Sequence, residues 1–287
     1  MRYGIDVPTF GPYSDVHTLV ALARDAERAG WDGFFTWDDI ASGAEPLADP
    51  WIALAAVAMS TSRVRLGPMV TPLARRRPWK VAREAVSLDH LSGGRLTLGV
   101  GLGEGAGQFD DFGEEADPRV RAQMLDEALD VLDGLWRGEA FHFSGAHYVV
   151  KGAVFTPRPV QQPRIPIWVA GRWPNKAPFR RAARWDGVFP ISRDLPLSEQ
   201  LSPAQMRDTL AYTAAHRERA APFDAVHAGI TPGKDRAADA AFVAQYAEVG
   251  VTWWLEQINP WALGWAGRGP WPLEAMRARV LAGPPAI

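Results

Sequence analysis

A short β-rich run followed by a helical pattern recurs from one end of this chain to the other, and no other feature restricts the possible folds as much. The β-rich runs fall at 3–7, 33–37, 64–69, 96–101, 167–170, 187–190, 225–229 and 252–256. Between them, Ser14 or Asp15 ahead of Val16, Asp49-Pro50, Pro78 and Asp117-Pro118 carry the cap and first-turn chemistry of helix starts. Val120, Met124, Leu125, Ala128, Leu129, Leu132, Leu135 and Trp136 recur at helical spacing and mark one buried face. Gly30, Gly93-Gly94, Gly138 and Gly250 suit the left-handed position after a last turn. Eight β-then-α units imply an α/β fold, a closed (β/α)8 TIM barrel, with an open doubly wound sheet as the alternative. Residues 1–287 read as a single domain of that kind.

One stretch breaks the rhythm. Residues 141–149 alternate, and prolines follow at 157, 159, 163 and 166, so a hairpin plus an extended Pro-rich insertion is expected between strands four and five. The composition, 47% apolar and 22% charged, is that of a globular enzyme, and no segment approaches about 18 uninterrupted apolar residues. The amino terminus lacks a secretory pattern, so a cytoplasmic enzyme without a membrane anchor is expected. A net charge of −2 gives no basic field for nucleic acid or anionic membrane, leaving small molecules as the expected partners. The absence of cysteine excludes disulfides, thiolate catalysis and Cys-ligated metal.

In a barrel the chemistry sits just after the carboxyl ends of the strands. Strand two ends in Trp37-Asp38-Asp39-Ile40, where two adjacent acids suit acid/base work, anchoring of a ring cofactor, a helix cap or a loop salt bridge. Strand three ends in Gly67-Pro68-Met69-Val70-Thr71-Pro72, whose paired prolines imply an irregular backbone against which a flat ring can lie. The Arg75-Arg76-Arg77 triplet that follows reads as a solvated helix start or as a site for an anionic tail. Strand four runs into Gly99-Val100-Gly101-Leu102-Gly103-Glu104-Gly105-Ala106-Gly107, a weak imitation of a dinucleotide fingerprint because no helix opens there. Its glycines, Gly101 and Gly103 above all, are expected to let a cofactor approach, with Glu104 as an acid/base candidate. Amides around Ala170 and Gly171, with Arg172, suit phosphate, as does Thr231-Pro232-Gly233-Lys234 after strand seven. Trp253, Trp254, Trp261, Trp265 and Trp271 crowd the eighth unit, most of them expected in the core and some lining an apolar pocket.

The ordered set Ala29-Gly30-Trp31-Asp32-Gly33-Phe34-Phe35-Thr36-Trp37-Asp38, Leu66-Gly67-Pro68-Met69-Val70-Thr71-Pro72, Asp89-His90-Leu91-Ser92-Gly93-Gly94-Arg95-Leu96, Pro166-Ile167-Trp168-Val169-Ala170-Gly171 and Arg181-Ala182-Ala183-Arg184-Trp185-Asp186-Gly187 resembles the bacterial luciferase-like monooxygenases, including the enzymes that use coenzyme F-420. The resemblance implies a flavin or deazaflavin ring, FMN or F-420, stacked on a bulge at strand three that often holds a non-proline cis peptide, here around Pro68, Met69 and Val70. It further implies cofactor contacts from Asp38 and Thr71, a phosphate side near Ala170, Gly171 and Arg172, and a homodimer. The tail of F-420 would benefit from Arg75, Arg76 or Arg77, which tilts the choice toward that cofactor. One departure stands out: the position commonly held by a catalytic histidine is Asp39, an aspartate that donates no proton at neutral pH unless its surroundings raise its pKa. Competing readings are a cofactor-binding barrel without catalysis and a metal-dependent hydrolase, the latter poorly supported because no two histidines stand at ligand spacing.

Overall fold

The computed structural model describes residues 1–104, 107–196, 199–233 and 235–285 of the chain. Around the barrel run β1 (Arg2–Val7), β2 (Gly33–Thr36), β3 (Arg65–Pro68), β4 (Thr71–Pro72), β5 (Leu98–Gly101), β8 (Ile167–Trp173), β9 (Gly187–Ser192), β10 (Asp224–Gly229) and β11 (Trp253–Gln257). The two short pieces β3 and β4 together form the third stave, and their pairing order is β3-β2-β1-β11-β10-β9-β8-β5-β4, all parallel. A parallel bridge from Leu66 to Leu96 joins β3 to the approach of β5 and completes the ring. The expected closed barrel is therefore found. The expected third strand is split where Met69-Val70 forms a cis peptide, and the fifth runs on to Trp173 instead of stopping at Ala170.

The outer layer contains α1 (Val16–Ala29), α2 (Pro50–Ser60), α3 (Pro78–Ser92), α4 (Pro118–Trp136), α5 (Ala177–Ala182), α6 (Pro203–Ala214), α7 (Arg236–Glu248) and α8 (Leu273–Leu281). Local chemistry sets their ends. Asp15 accepts from the amides of His17 and Thr18, Asp49 from those of Trp51 and Ile52, and Ser202 forms a capping box with Gln205. Gly30 closes α1 at φ 93°, a left-handed position that a side chain would strain. Between α4 and β8, β6 (Phe141–Ser144) and β7 (Val149–Ala153) pair antiparallel, and the chain then passes the cis prolines Pro157 and Pro163. Among the described residues no helix is long and apolar enough to cross a membrane.

Strand alternation divides the interior in two. Tyr3, Ile5 and Val7 pack outward against Leu19, Leu22, Ala53 and Val57 of the helices. Phe35, Met69, Trp168, Phe189, Val226, Trp253 and Leu255 point inward and fill the lumen. Ring centroids of Phe35, Trp168 and Trp253 lie 5.3–5.9 Å apart, so the barrel is plugged by aromatics below its mouth. Staves three and four approach so closely that side chains are excluded. A Cβ on Gly67 would stand 1.8 Å from the Thr97 carbonyl oxygen, and one on Gly99 2.3 Å from that of Pro68.

Because backbone cannot rotate out of the way, Gly67→Ala is expected to lower unfolding free energy by about 3 kcal/mol, at the upper end of overpacking costs. Urea denaturation followed by far-UV circular dichroism checks this; an unchanged midpoint would mean that the staves separate freely.

Candidate active site at the mouth of the barrel

β2 delivers Asp38 into a fully enclosed position, 5% exposed, at the carboxyl end of the barrel. Its Oδ2 accepts from Thr71 Oγ1 at 2.6 Å and from Trp51 Nε1 at 3.0 Å. Its Oδ1 accepts from Arg75 Nη2 at 3.0 Å and from Arg76 Nη2 at 3.2 Å. Arg75 Nη2 also donates to the Asp38 carbonyl at 3.0 Å. The arginine triplet is thus mainly neither a solvated helix start nor a tail site. Arg75 and Arg76 neutralise Asp38, whose burial would be costly without them, while Arg77 precedes the first turn of α3. Burial in turn pulls the Arg75 guanidinium below its ordinary value, with Asp38 opposing. Asp38 and Thr71, expected to touch a cofactor, face each other here and brace the bulge.

That bulge is the cis Met69-Val70 pair between Pro68 and Thr71. Met69 fits over Gly99, where an added Cβ would meet its sulfur at 2.6 Å, and Val70 fits over Gly101, where a Cβ would meet Cγ2 at 2.7 Å and the Ala170 Cβ at 3.5 Å. Val70, Gly101 and Ala170 therefore form one small-residue floor at the mouth. Gly103 serves packing rather than ligand approach, because its missing side chain leaves room for Pro72 and Phe109. Gly171 points outward: a Cβ there would strike Pro178 of α5 at 2.4 Å. Ala170 and Gly171 lie within the β8–β9 ladder, paired with Phe189 and Pro190, so neither sits in the loop expected to cradle phosphate. Arg172 reaches across to Glu104 in an exposed ion pair, which occupies both candidates with each other.

Asp39 follows, half-buried. Gln108 connects it to the Asp38 network, donating from Nε2 to Asp39 Oδ1 at 3.2 Å while its Oε1 accepts from Arg75 Nη1 at 3.0 Å. Burial pushes the Asp39 carboxyl up to about 6, helped by the Asp38 and Glu104 charges and opposed by Arg75. It opens on a cleft of about 380 Å³, lined among others by Phe10, Trp37, Gln108, Asp111 and Trp261. Of the crowded tryptophans, Trp253 and Trp254 are core, whereas Trp261 forms a wall of this cleft with Trp265 and Trp271 packed nearby. The second phosphate candidate is occupied: Thr231 donates to Glu256 from its amide and hydroxyl, at 3.1 and 2.8 Å, and the Gly233 amide donates to Asp239. Lys234 and Ala106 lie outside the described residues.

Sequence reasoning missed Gln108, Trp51 and Asp6. Asp6 shares the inward face of β1 with Gly4, beside Leu255 and Phe35. Trp37 Nε1 donates to its Oδ2 at 3.0 Å, while Oδ1 is buried without a partner. Burial pushes the Asp6 carboxyl up to about 8. An acid two residues from a glycine in an otherwise apolar strand was the available signal.

The sequence profile described as luciferase-like monooxygenase matches residues 1–285. The chain belongs to that family. This luciferase-like protein is 36% identical over 163 residues to the F420-dependent glucose-6-phosphate dehydrogenase of Beutenbergia cavernae, covering 55% of this chain and 47% of that one. It is 30% identical over 161 residues to the oxygenase component of the flavin-dependent trigonelline monooxygenase of Acinetobacter baylyi, covering 56% and 44%. The matched segments thus span about half of each relative's length. A solved F420-dependent secondary alcohol dehydrogenase, holding an F420-acetone adduct, superposes with TM-score 0.75 at 15% identity over 89% of this chain and 92% of that one, and so shares the fold. Members of this family are oxidoreductases.

Removing the Asp38 carboxylate would leave Arg75 with only neutral partners and Arg76 with only Glu84 at 3.8 Å, so Asp38→Ala in this luciferase-like barrel is expected to cost about 3–5 kcal/mol, the usual consequence of breaking a buried pair, in chemical denaturation. Asp6 gives a pH signature. Its folded pKa, about 8, lies above the ordinary 3.8, so its contribution to stability is complete in acid and is lost as pH rises between those values. Melting temperature should fall from pH 5 to pH 9 in the parent relative to Asp6→Asn; parallel curves would show that Asp6 ionises freely.

Proposed function

We propose that this chain, a single barrel domain, is a flavin- or deazaflavin-dependent oxidoreductase that transfers hydride, or activates oxygen, on a small organic substrate. Coenzyme F-420 is favoured over FMN. The observation that carries the reading is the surface of Val70 and Ala170 at the Met69-Val70 bulge, where Val70 lies over Gly101 and the next residue, Thr71, hydrogen-bonds Asp38, the neighbour of Asp39. The preference for F-420 is supported by the 36% identity to an F420-dependent dehydrogenase, against 30% to a flavin-dependent oxygenase. It draws nothing from Arg75 and Arg76, which Asp38 engages.

When bound, the cofactor supplies the hydride or oxygen chemistry, and the protein supplies orientation and proton handling. Val70 and Ala170 would hold the ring face, and Gly101 leaves the room in which Val70 lies. Asp38, clamped by Thr71, Trp51, Arg75 and Arg76, fixes the backbone under that face. Asp39 acts as the base. With its pKa near 6 it is ionised at neutral pH yet takes up a proton more readily than an ordinary carboxylate, and Gln108 orients it. The same raised value is the condition under which an aspartate can replace histidine. We place the enzyme in the cytoplasm as a homodimer, which size-exclusion chromatography with light scattering checks for the assembly.

Fluorescence titration with F-420 and with FMN tests the reading: micromolar or tighter binding of F-420 is expected, FMN binding weaker, and failure of both would overturn it. Turnover with a bound cofactor should fall as pH drops through about 6, where Asp39 becomes protonated. Asp39→Asn should lower kcat by about 10²–10⁴-fold, the range for a lost general base, and remove that limb of the profile.

A further inference from the structure

The cleft beside Asp39 has a composition that the hydride chemistry does not explain. Its walls are aromatic: Trp37 and Trp261 lie parallel, with centroids 6.4 Å apart and planes within 8°, and Phe10 closes the side at 5.9 and 6.2 Å from them. Its polar groups are acidic or neutral. Asp39 and Asp111 contribute carboxylates, Gln108 an amide, and among the described residues no lysine or arginine lines it. Arg75, whose charge acts on Asp39, is engaged by the Asp38 carboxylate and by Gln108.

Indole faces present the negative side of the ring quadrupole, so aromatic walls with carboxylates at the rim attract a desolvated positive charge and give a neutral molecule of the same shape less. An anionic substrate meets the opposite field. Resting on the functional reading above, which makes Asp39, a residue lining this cleft, the base, we propose that the cleft selects a small organic cation, held against Trp37 and Trp261 with Asp39 and Asp111 as counter-charges. The volume of about 380 Å³ admits a quaternary ammonium or an N-alkylated heterocycle. Trp37 is fixed for this role by its hydrogen bond to Asp6, which stops the indole from turning its edge to the ligand.

The charge on Asp39 adds a second signature. The charged groups around it are Asp38, Arg75 and Glu104, and Asp111 lines the same cleft. Since Asp39 ionises near pH 6, cation binding should strengthen as pH rises from 5 to 7.5, whereas a neutral ligand should be indifferent.

The test is isothermal titration of the full chain, without added cofactor, with choline and with its uncharged isostere 3,3-dimethylbutan-1-ol. Choline is expected to bind at least about tenfold tighter, a ratio within the range of a partly desolvated cation–π site. Asp111→Asn and Trp261→Leu should each cut that ratio severalfold; Asp111 is exposed, so its substitution leaves the fold intact. Equal affinity for the two ligands, binding of neither, or a ratio unmoved in both variants would overturn the proposal. The two readings separate cleanly: cofactor binding without cation preference defeats only this one, and cation preference without cofactor binding defeats only the functional reading.

Discussion

The Asp38 carboxylate sits where water does not reach and receives hydrogen bonds from a threonine, an indole and two guanidinium groups. The donors arrive from three parts of the chain. Trp51 belongs to α2, Thr71 to β4, and Arg75 and Arg76 to the short segment leading into α3. A single buried charge therefore ties the second stave, the third stave and two helices together at the mouth. In a low-dielectric interior such a network is rigid when fully satisfied, and removing the carboxylate at its centre leaves positive charge without its counter-ion. The bulge carrying the small-residue floor is held on one side by this knot and on the other by the glycines of the fourth stave.

The barrel was legible in the sequence because its signals are local. Asp15, Asp49 and Asp117 cap the helices they precede, and Gly30 and Gly93 end the ones they follow. Alternation on β1 and β11 shows directly as an inward and an outward face. The break in the third stave was also announced, by two prolines that lack the amide hydrogens a continuous ladder needs. The length of β8 was not: residues 171–173 extend only because β9 offers Pro190, Ile191 and Ser192 as partners, and pairing across a barrel leaves no mark on a strand's own residues.

The site was half legible for the same reason. Asp38 and Val70 follow strand segments and Gly101 and Ala170 lie within strands, yet what each touches depends on groups far away in the sequence. Three consecutive arginines look alike until a buried carboxylate claims two of them. Gly103 and Gly171 look like ligand approaches until Phe109 and Pro178 are found filling the space. By type alone Asp39 is an ordinary carboxylate, and burial raises its pKa to about 6. Gln108 connects that aspartate to Arg75 across a loop, a link that no spacing rule contains.

The close fit of the third and fourth staves has a consequence for how this protein can be rebuilt. Gly67 accepts the Thr97 carbonyl, Gly99 accepts Pro68 and Met69, and Gly101 accepts Val70. Each projection and its matching recess lie on opposite sides of helix α3. A hybrid made by joining this chain to a relative within that helix would combine the projections of one parent with the recesses of the other. The stretch from β3 through β5 is thus inherited as one cassette, and recombination between family members should respect its edges.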